Sequence, residues 1–285
     1  MIVARTRNAL DQALTDLRAR GETLALVPTM GYLHEGHLSL VDRALEHADA
    51  AAVSIFVNPL QFGPSEDLER YPRDEPRDLA LLEERGAAIA FVPEEGEMYP
   101  DGEPRVTVAP GPMELRLCGL FRPGHFRGVL TVVAKLFGLF RPDVAVFGRK
   151  DFQQGVLIQR MVRDLEMGIR IELGEIVREP DGLAMSSRNA YLGPEERAQA
   201  RVLHDALFSA ARLHAGGERR AEALLDEIRR QVGRRELLEL QYVDAVDPAT
   251  LDPVRTVDDD TVVALAAFCG TTRLIDNVRL GDGPR

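Results

Sequence analysis

Two periods of apolar and polar positions alternate along the first 177 residues. Leu24–Thr29 is a short apolar run that ends in Pro and Gly, which predicts a buried strand. Over Gly36–His47, the residues Leu38, Leu40, Val41, Ala44 and Leu45 recur at helical spacing. Ala51–Val57 predicts a second buried strand, stopped by Asn58-Pro59. Asp74–Arg85 predicts a helix closed by Gly86, and Ile89–Val92 a third strand. Gly128–Phe140 is an apolar helix ended by Arg141-Pro142. Val144–Phe147 is a strand, about Phe152–Glu166 a helix, and Ile169–Val177 the last strand of this half. Strands alternating with helices predict an α/β fold, a parallel sheet with helices on both faces. Such sheets bind ligands at the carboxyl ends of their strands.

The remainder has a different order. Pro194–Ala215 and Arg219–Arg235 predict two amphipathic, charge-rich helices. Leu240–Val246, Val262–Phe268 and Thr271–Leu280 predict strands. Helices first and strands afterwards suggest a smaller α+β domain. The boundary falls near Val177–Asn189, giving domains 1–177 and 178–285, with Gly281–Arg285 expected to fray.

Composition narrows the function. The 285 residues carry a net charge of −11, which disfavours a nucleic-acid partner, because neutralising phosphates needs a basic face. Two cysteines, Cys118 and Cys269, make no disulfide framework and suit a reducing, cytoplasmic setting. The chain contains neither a secretory leader pattern nor an apolar run of about 18 residues, so no membrane association is expected. Of the 35 basic residues only Lys135 and Lys150 are lysines. Lys150 stands in a polar Gly-Arg-Lys-Asp turn, which suggests a chemical use; an arginine bias with two chance lysines is the other reading.

The candidate chemistry starts at Pro28-Thr29-Met30-Gly31-Tyr32-Leu33-His34-Glu35-Gly36-His37. A strand ends, a glycine turn follows and a helix begins near Gly36 or His37. Unpaired backbone N–H groups and the positive dipole end favour an anion there. His34 and His37, three apart, can face one phosphate and stabilise developing negative charge. A capped helix start with two surface histidines, or a zinc site with Glu35 as its local carboxylate, are the competing readings.

His-x-Gly-His after a strand resembles the phosphate-binding signature of the nucleotidyltransferase superfamily, which includes class I aminoacyl-tRNA synthetases. Those proteins add a Lys/Met/Ser-rich loop after a later strand, and here Leu183-Ala184-Met185-Ser186-Ser187-Arg188-Asn189 follows the last strand. Four further blocks narrow the match: Val57-Asn58-Pro59-Leu60-Gln61-Phe62-Gly63, Phe121-Arg122-Pro123-Gly124-His125-Phe126-Arg127-Gly128-Val129, Phe147-Gly148-Arg149-Lys150-Asp151-Phe152-Gln153-Gln154 and Arg178-Glu179-Pro180-Asp181-Gly182. In this order they resemble the pantoate–β-alanine ligase (pantothenate synthetase) family over essentially the whole chain.

The resemblance implies a Rossmann-like nucleotide- and pantoate-binding domain, a C-terminal lid and a homodimer. It implies ATP-dependent condensation of pantoate with β-alanine through a pantoyl adenylate, releasing AMP and pyrophosphate, with Mg²⁺ as the accompanying ion and its direct ligands unassigned. Met30, Gly31, Tyr32, Leu33, His34, Glu35, Gly36 and His37 are implied to contact ATP. So are Gly148, Arg149, Lys150, Asp151, Val177, Met185, Ser186, Ser187 and Arg188. His34, His37 and Lys150 are the implied catalytic residues, with His37 either a proton donor or a cationic hydrogen-bond donor. Gln61 and Gln154 are implied to hold pantoate, and Gln61 also β-alanine, with Asn58 as a second polar contact. Arg122 and His125 are either contacts or part of a structural loop. Cys118 stands where the family often has Glu, and Arg149 where Glu is common. Asp78 reads as a solvated helix charge, with assistance to a metal or the nucleotide as the other reading. The rival readings are a nucleotidylyltransferase acting on another small acceptor and a non-catalytic nucleotide sensor.

Overall fold

The structure is a computed structural model that describes residues 1–64 and 66–283. Its elements in chain order are β1 (Ile2–Ala4), α1 (Arg7–Ala19), β2 (Leu24–Thr29), α2 (Glu35–His47), β3 (Ala50–Ile55), α3 (Glu75–Glu84), β4 (Ile89–Phe91), α4 (Glu95–Met98), α5 (Leu117–Phe121), α6 (His125–Phe140), β5 (Val144–Gly148), α7 (Phe152–Asp164) and β6 (Arg170–Gly174). Then follow α8 (Pro194–Ala200), α9 (Val202–Ala215), α10 (Ala221–Val232), β7 (Leu238–Val246), β8 (Val262–Cys269) and β9 (Thr272–Arg279).

The chain divides into two compact units. One comprises Met1–Gly111, Arg122–Arg149 and Leu157–Glu175; the other comprises Pro112–Phe121, Lys150–Val156 and the chain from Ile176 onward. The last of these crossings, between Glu175 and Ile176, precedes the boundary read from the sequence near Val177–Asn189.

The first unit holds a six-stranded sheet in the order β1-β4-β3-β2-β5-β6, with every pairing parallel. The parallel α/β sheet expected from the alternating pattern is therefore present. Ala25 and Val27 face the apolar cluster built with Leu38, Val41 and Ala44 of α2. Leu24 and Leu26, on the opposite face by strand alternation, are buried as well. That two-sided burial explains why β2 and β3 read as continuous apolar runs. From β2 the chain passes to β3 on one side, and β5 lies on the other. The end of β2 is thus the topological switch point, where such sheets open a crevice for ligands.

The second unit holds the antiparallel sheet β7-β8-β9. One apolar cluster joins it to Leu207, Ala211, Leu224 and Ile228 of α9 and α10. A second cluster joins Val246, Val262 and Ala264 to Leu117 and Val156. This burial is why residues 112–121 and 150–156 belong with the C-terminal unit.

Several elements differ from the expectation. β1 and α1 were not anticipated; three residues are too few to show a period, and β1 is held by pairing with β4. The helix expected over Pro194–Ala215 is two, interrupted at Arg201. The strand expected to reach Val177 ends at Gly174. Leu280–Asp282 form a 3-10 turn; residues 284 and 285 of the expected frayed end lie outside the described residues.

Candidate active site

The turn between β2 and α2 is built by backbone geometry that needs external support. Gly31 has φ +81°, and a Cβ there would lie 2.9 Å from Ile55 Cγ2 and 3.1 Å from Asp78 Oδ2. Tyr32 follows with φ +49°, a left-handed conformation that costs a non-glycine residue about 1–2 kcal/mol. Asp78 offsets that cost. The Tyr32 and Leu33 backbone N–H groups each donate to its carboxylate at 2.7 Å, and Arg77 Nη1 donates to Leu33 O at 2.9 Å. Asp78 is 1% exposed, so it is not the solvated helix charge read from the sequence. Burial pushes its carboxyl pKa up, opposed by the two backbone N–H groups and Arg77. A single acid on a charge-rich helix carries no sequence signal that distinguishes an anchor from a surface charge.

The helix start itself is capped by the two histidines. His34 Nδ1 accepts from Gly36 N at 3.1 Å, and His37 Nδ1 faces His34 N at 3.4 Å. The ring centroids are 4.0 Å apart. A ring nitrogen that accepts carries no hydrogen, so in each neutral imidazole the N–H is at Nε2. The capped start and the anion-directed pair, opposed readings in the sequence, are therefore compatible. Glu35 is exposed and paired with Arg85 at 2.6 Å.

A second cluster sits at the end of β3. Asn58 caps the short Pro59–Gln61 turn, and its Nδ2 donates to Gln61 Oε1 at 3.1 Å. Gln61 Nε2 lies 3.1 Å from Met30 Sδ, which joins the β2 and β3 ends. The Gln61 main chain is gripped from α6 and the segment before it. His125 Nδ1 donates to Gln61 O at 2.8 Å, and Arg122 Nη2 reaches the same oxygen at 3.3 Å. Arg122 forms a bidentate pair with Glu66 and contacts His125 Nε2 at 3.0 Å. Arg122 and His125 thus build the loop that carries Gln61. Gly128 makes the approach possible, since a Cβ there would lie 2.2 Å from Leu60 O.

The other lysine-containing turn, Arg149–Asp151, follows β5. Lys150 is half-buried and Asp151 exposed. Lys150 O accepts from Asn277 Nδ2 at 3.1 Å, and Arg149 pairs with Glu175 at 2.9 Å. The two adjacent glutamines differ in use. Gln153 is buried and bonded to Gly119 N, Met113 O and Arg116 O, whereas Gln154 is half-buried. Cys118 is buried, with Tyr242 Oη 3.1 Å and Arg273 Nη2 3.4 Å from its sulfur.

Residues 177–189 form a bonded hairpin and turn. Met185 N donates to Val177 O at 3.0 Å and Glu179 N to Leu183 O at 2.8 Å, which brings Val177 and Met185 together. Ser186 caps the 3-10 turn Ser187–Tyr191, accepting from Arg188 N. Glu179 ties this turn to α8. It accepts from Asn189 Nδ2 at 2.7 Å and from Arg197 Nη2 at 2.6 Å.

Among the described residues, no group of three or more histidine, cysteine or carboxylate side chains is placed to hold a metal ion. The described residues build no all-protein metal cage. Among the described residues, no helix is long and apolar enough to cross a membrane.

The family model described as pantoate-beta-alanine ligase matches residues 2–279. The chain belongs to the pantoate–β-alanine ligase family. It is an amide-bond-forming ligase, as the sequence motifs imply. Pantothenate synthetase from Thermoanaerobacter sp. (strain X514) is 50% identical over 282 residues, covering 99% of each chain. Pantothenate synthetase 1 of Bradyrhizobium diazoefficiens is 52% identical over 279 residues, covering 96% of each. The crystal structure of pantothenate synthetase from Thermus thermophilus matches with TM-score 0.91 and 43% identity, over 98% of this chain and 99% of that one. The Francisella tularensis pantoate–β-alanine ligase, solved in complex with beta-gamma ATP and beta-alanine, matches with TM-score 0.83 and 32% identity over 100% of both chains.

Proposed function

We propose that this ligase activates pantoate at the crevice opened by the β2, β3 and β5 strand ends, with the residues named above in the following roles. The reaction is ATP-dependent condensation of pantoate with β-alanine. A pantoate carboxylate oxygen attacks the α-phosphorus of ATP, and the bond to pyrophosphate breaks. The β-alanine amine, having lost a proton, then attacks the acyl carbon of the adenylate. The C–O bond breaks and AMP leaves.

The observation that carries the site assignment is the pair of imidazoles at the α2 start. Both Nδ1 atoms are tied to the backbone, which orients the Nε2–H groups as donors beside a positive helix terminus. Donors fixed before the reaction stabilise charge developing on the departing pyrophosphate without reorganisation. His34 and His37 take this role. Met30–His37 and Gly148–Asp151 contact ATP, with Lys150 at the phosphates or the reacting carboxylate and Asp151 at the ribose. Val177 lines the adenine pocket, and Met185, Ser186, Ser187 and Arg188 attend the triphosphate. A Mg²⁺ ion accompanying ATP would supply neutralisation of phosphate charge.

Gln61 and Gln154 hold pantoate through neutral amides, which leave its carboxylate nucleophilic, and Gln61 also attends β-alanine. The assignment of Gln154 rather than its neighbour is supported by the complete structural use of the Gln153 amide. The homodimer rests on the family resemblance and the cytoplasmic location on the cysteine usage; light scattering of the purified chain and fractionation of cells test them.

The direct test is product analysis with ATP, Mg²⁺, pantoate and β-alanine. The reading requires one AMP and one pyrophosphate for each amide formed. Nucleotide retained on the product would favour the nucleotidylyltransferase alternative.

A further inference from the structure

We propose that Tyr99, a residue outside every motif used above, is a positioning residue that sets the Gln61 side-chain amide through Asn58, so that Gln61 meets its ligand as a hydrogen donor. The proposal deepens the reading of Gln61 as a pantoate residue and rests on it.

Asn58 is 1% exposed and its amide is fully used. Its Oδ1 accepts from Tyr99 Oη at 2.7 Å and from Leu60 N at 3.4 Å. Its two Nδ2 hydrogens go to Gln61 Oε1 at 3.1 Å and Gly128 O at 3.2 Å. A rotated Asn58 amide would oppose donor to donor at Leu60 N and acceptor to acceptor at Gly128 O. The orientation is therefore unique, and the Asn58 donor fixes which end of Gln61 is oxygen. Gln61 Oε1 turns inward, and Nε2 lies against Met30 Sδ. A thioether is a weak acceptor, so a ligand carboxylate or hydroxyl oxygen is the better partner.

Tyr99 is suited to hold this state. Its hydroxyl is buried, and burial, with Glu95 adding, holds its pKa well above the ordinary phenol value. It stays a donor throughout the working pH range. The Lys135 ammonium lies 5.6 Å from the Tyr99 ring centroid, which gives one of the two lysines a place in the same stack. The chain is Lys135, Tyr99, Asn58, Gln61, Met30, and it ends at the ATP-contacting turn.

The test is a double-mutant cycle in steady-state kinetics. Tyr99→Phe keeps the ring and removes the donor. It should raise the pantoate KM about tenfold, with the ATP KM, kcat and melting temperature close to wild type. In a Gln61→Ala background, the same substitution should change the pantoate KM less than twofold, because the amide it orients is gone. Asn58→Asp removes the donor that holds Gln61 Oε1 and should raise the pantoate KM further than Tyr99→Phe. Equal effects of Tyr99→Phe with and without Gln61 would overturn the relay and leave a structural role for the tyrosine. So would a wild-type pantoate KM for Tyr99→Phe beside a raised one for Gln61→Ala. A wild-type pantoate KM for Gln61→Ala would remove the reading of Gln61 itself, and the relay with it.

Discussion

The carboxylate of Asp78 meets the main-chain N–H of Leu33 at 2.7 Å, inside a site where it is almost wholly buried. This acid on α3 holds the left-handed backbone that leads into both motif histidines. Asp78→Asn turns one of its two acceptors into a donor facing Tyr32 or Leu33. A buried amide left without a partner costs about 1–3 kcal/mol. The melting midpoint should fall accordingly, and the ATP KM should rise with the pantoate KM little changed. An unchanged ATP KM would separate the anchor from the function of the turn.

In the proposed roles, the histidines and the turn lysine would act on charge rather than on stability. His37→Ala or Lys150→Ala should each lose at least about 3 kcal/mol of transition-state stabilisation, over about 100-fold in kcat/KM. The His37 cap on His34 N is long, at 3.4 Å, so little folding energy should go with it. Turnover near wild type in both variants, measured as AMP release, would refute the assigned roles.

At Gly128 the packing is closer than any side chain allows. A Cβ 2.2 Å from Leu60 O must push α6 away from the Gln61 turn. Gly128→Ala should cost about 1–3 kcal/mol in stability, the range for overpacking, and raise the pantoate KM more than the ATP KM. Chemical denaturation beside the two KM values tests both halves of that expectation.

Acid should loosen the 183–189 turn. Glu179 sits below the usual carboxylate range, chiefly because Arg197 hydrogen-bonds to it, with burial opposing and Asn189 adding. A folded pKa lowered in this way contributes stability that is complete above the unfolded value of about 4.3. That stability is lost as pH falls through the folded value. Wild-type stability should therefore drop below about pH 4.3 more steeply than that of Glu179→Gln. Superimposable acid limbs would contradict the claim.

The parallel sheet was legible because strands buried on both faces are continuous apolar runs between helices of clear period. The His34–His37 turn was legible because two histidines and two glycines crowd one strand-to-helix junction. What supports the site was not. Asp78 looks like any acid on a polar helix. Tyr99 stands among acids, a proline and glycines with no period around it, and Asn58 gains its meaning only from partners at 99 and 128. The contributions of 112–121 and 150–156 to the antiparallel unit were hidden because tertiary burial, not local pattern, assigns them. At the Gln153-Gln154 pair the sequence favours Gln154 by resemblance alone, and the buried bonds of Gln153 carry no signal in it.

In the proposed sequence, ATP activates pantoate before β-alanine takes part. Exchange of labelled pyrophosphate into ATP measures this most directly. Exchange is expected with Mg²⁺ and pantoate alone, and net AMP release only when β-alanine is added. Exchange that requires β-alanine, or that proceeds without pantoate, would contradict it.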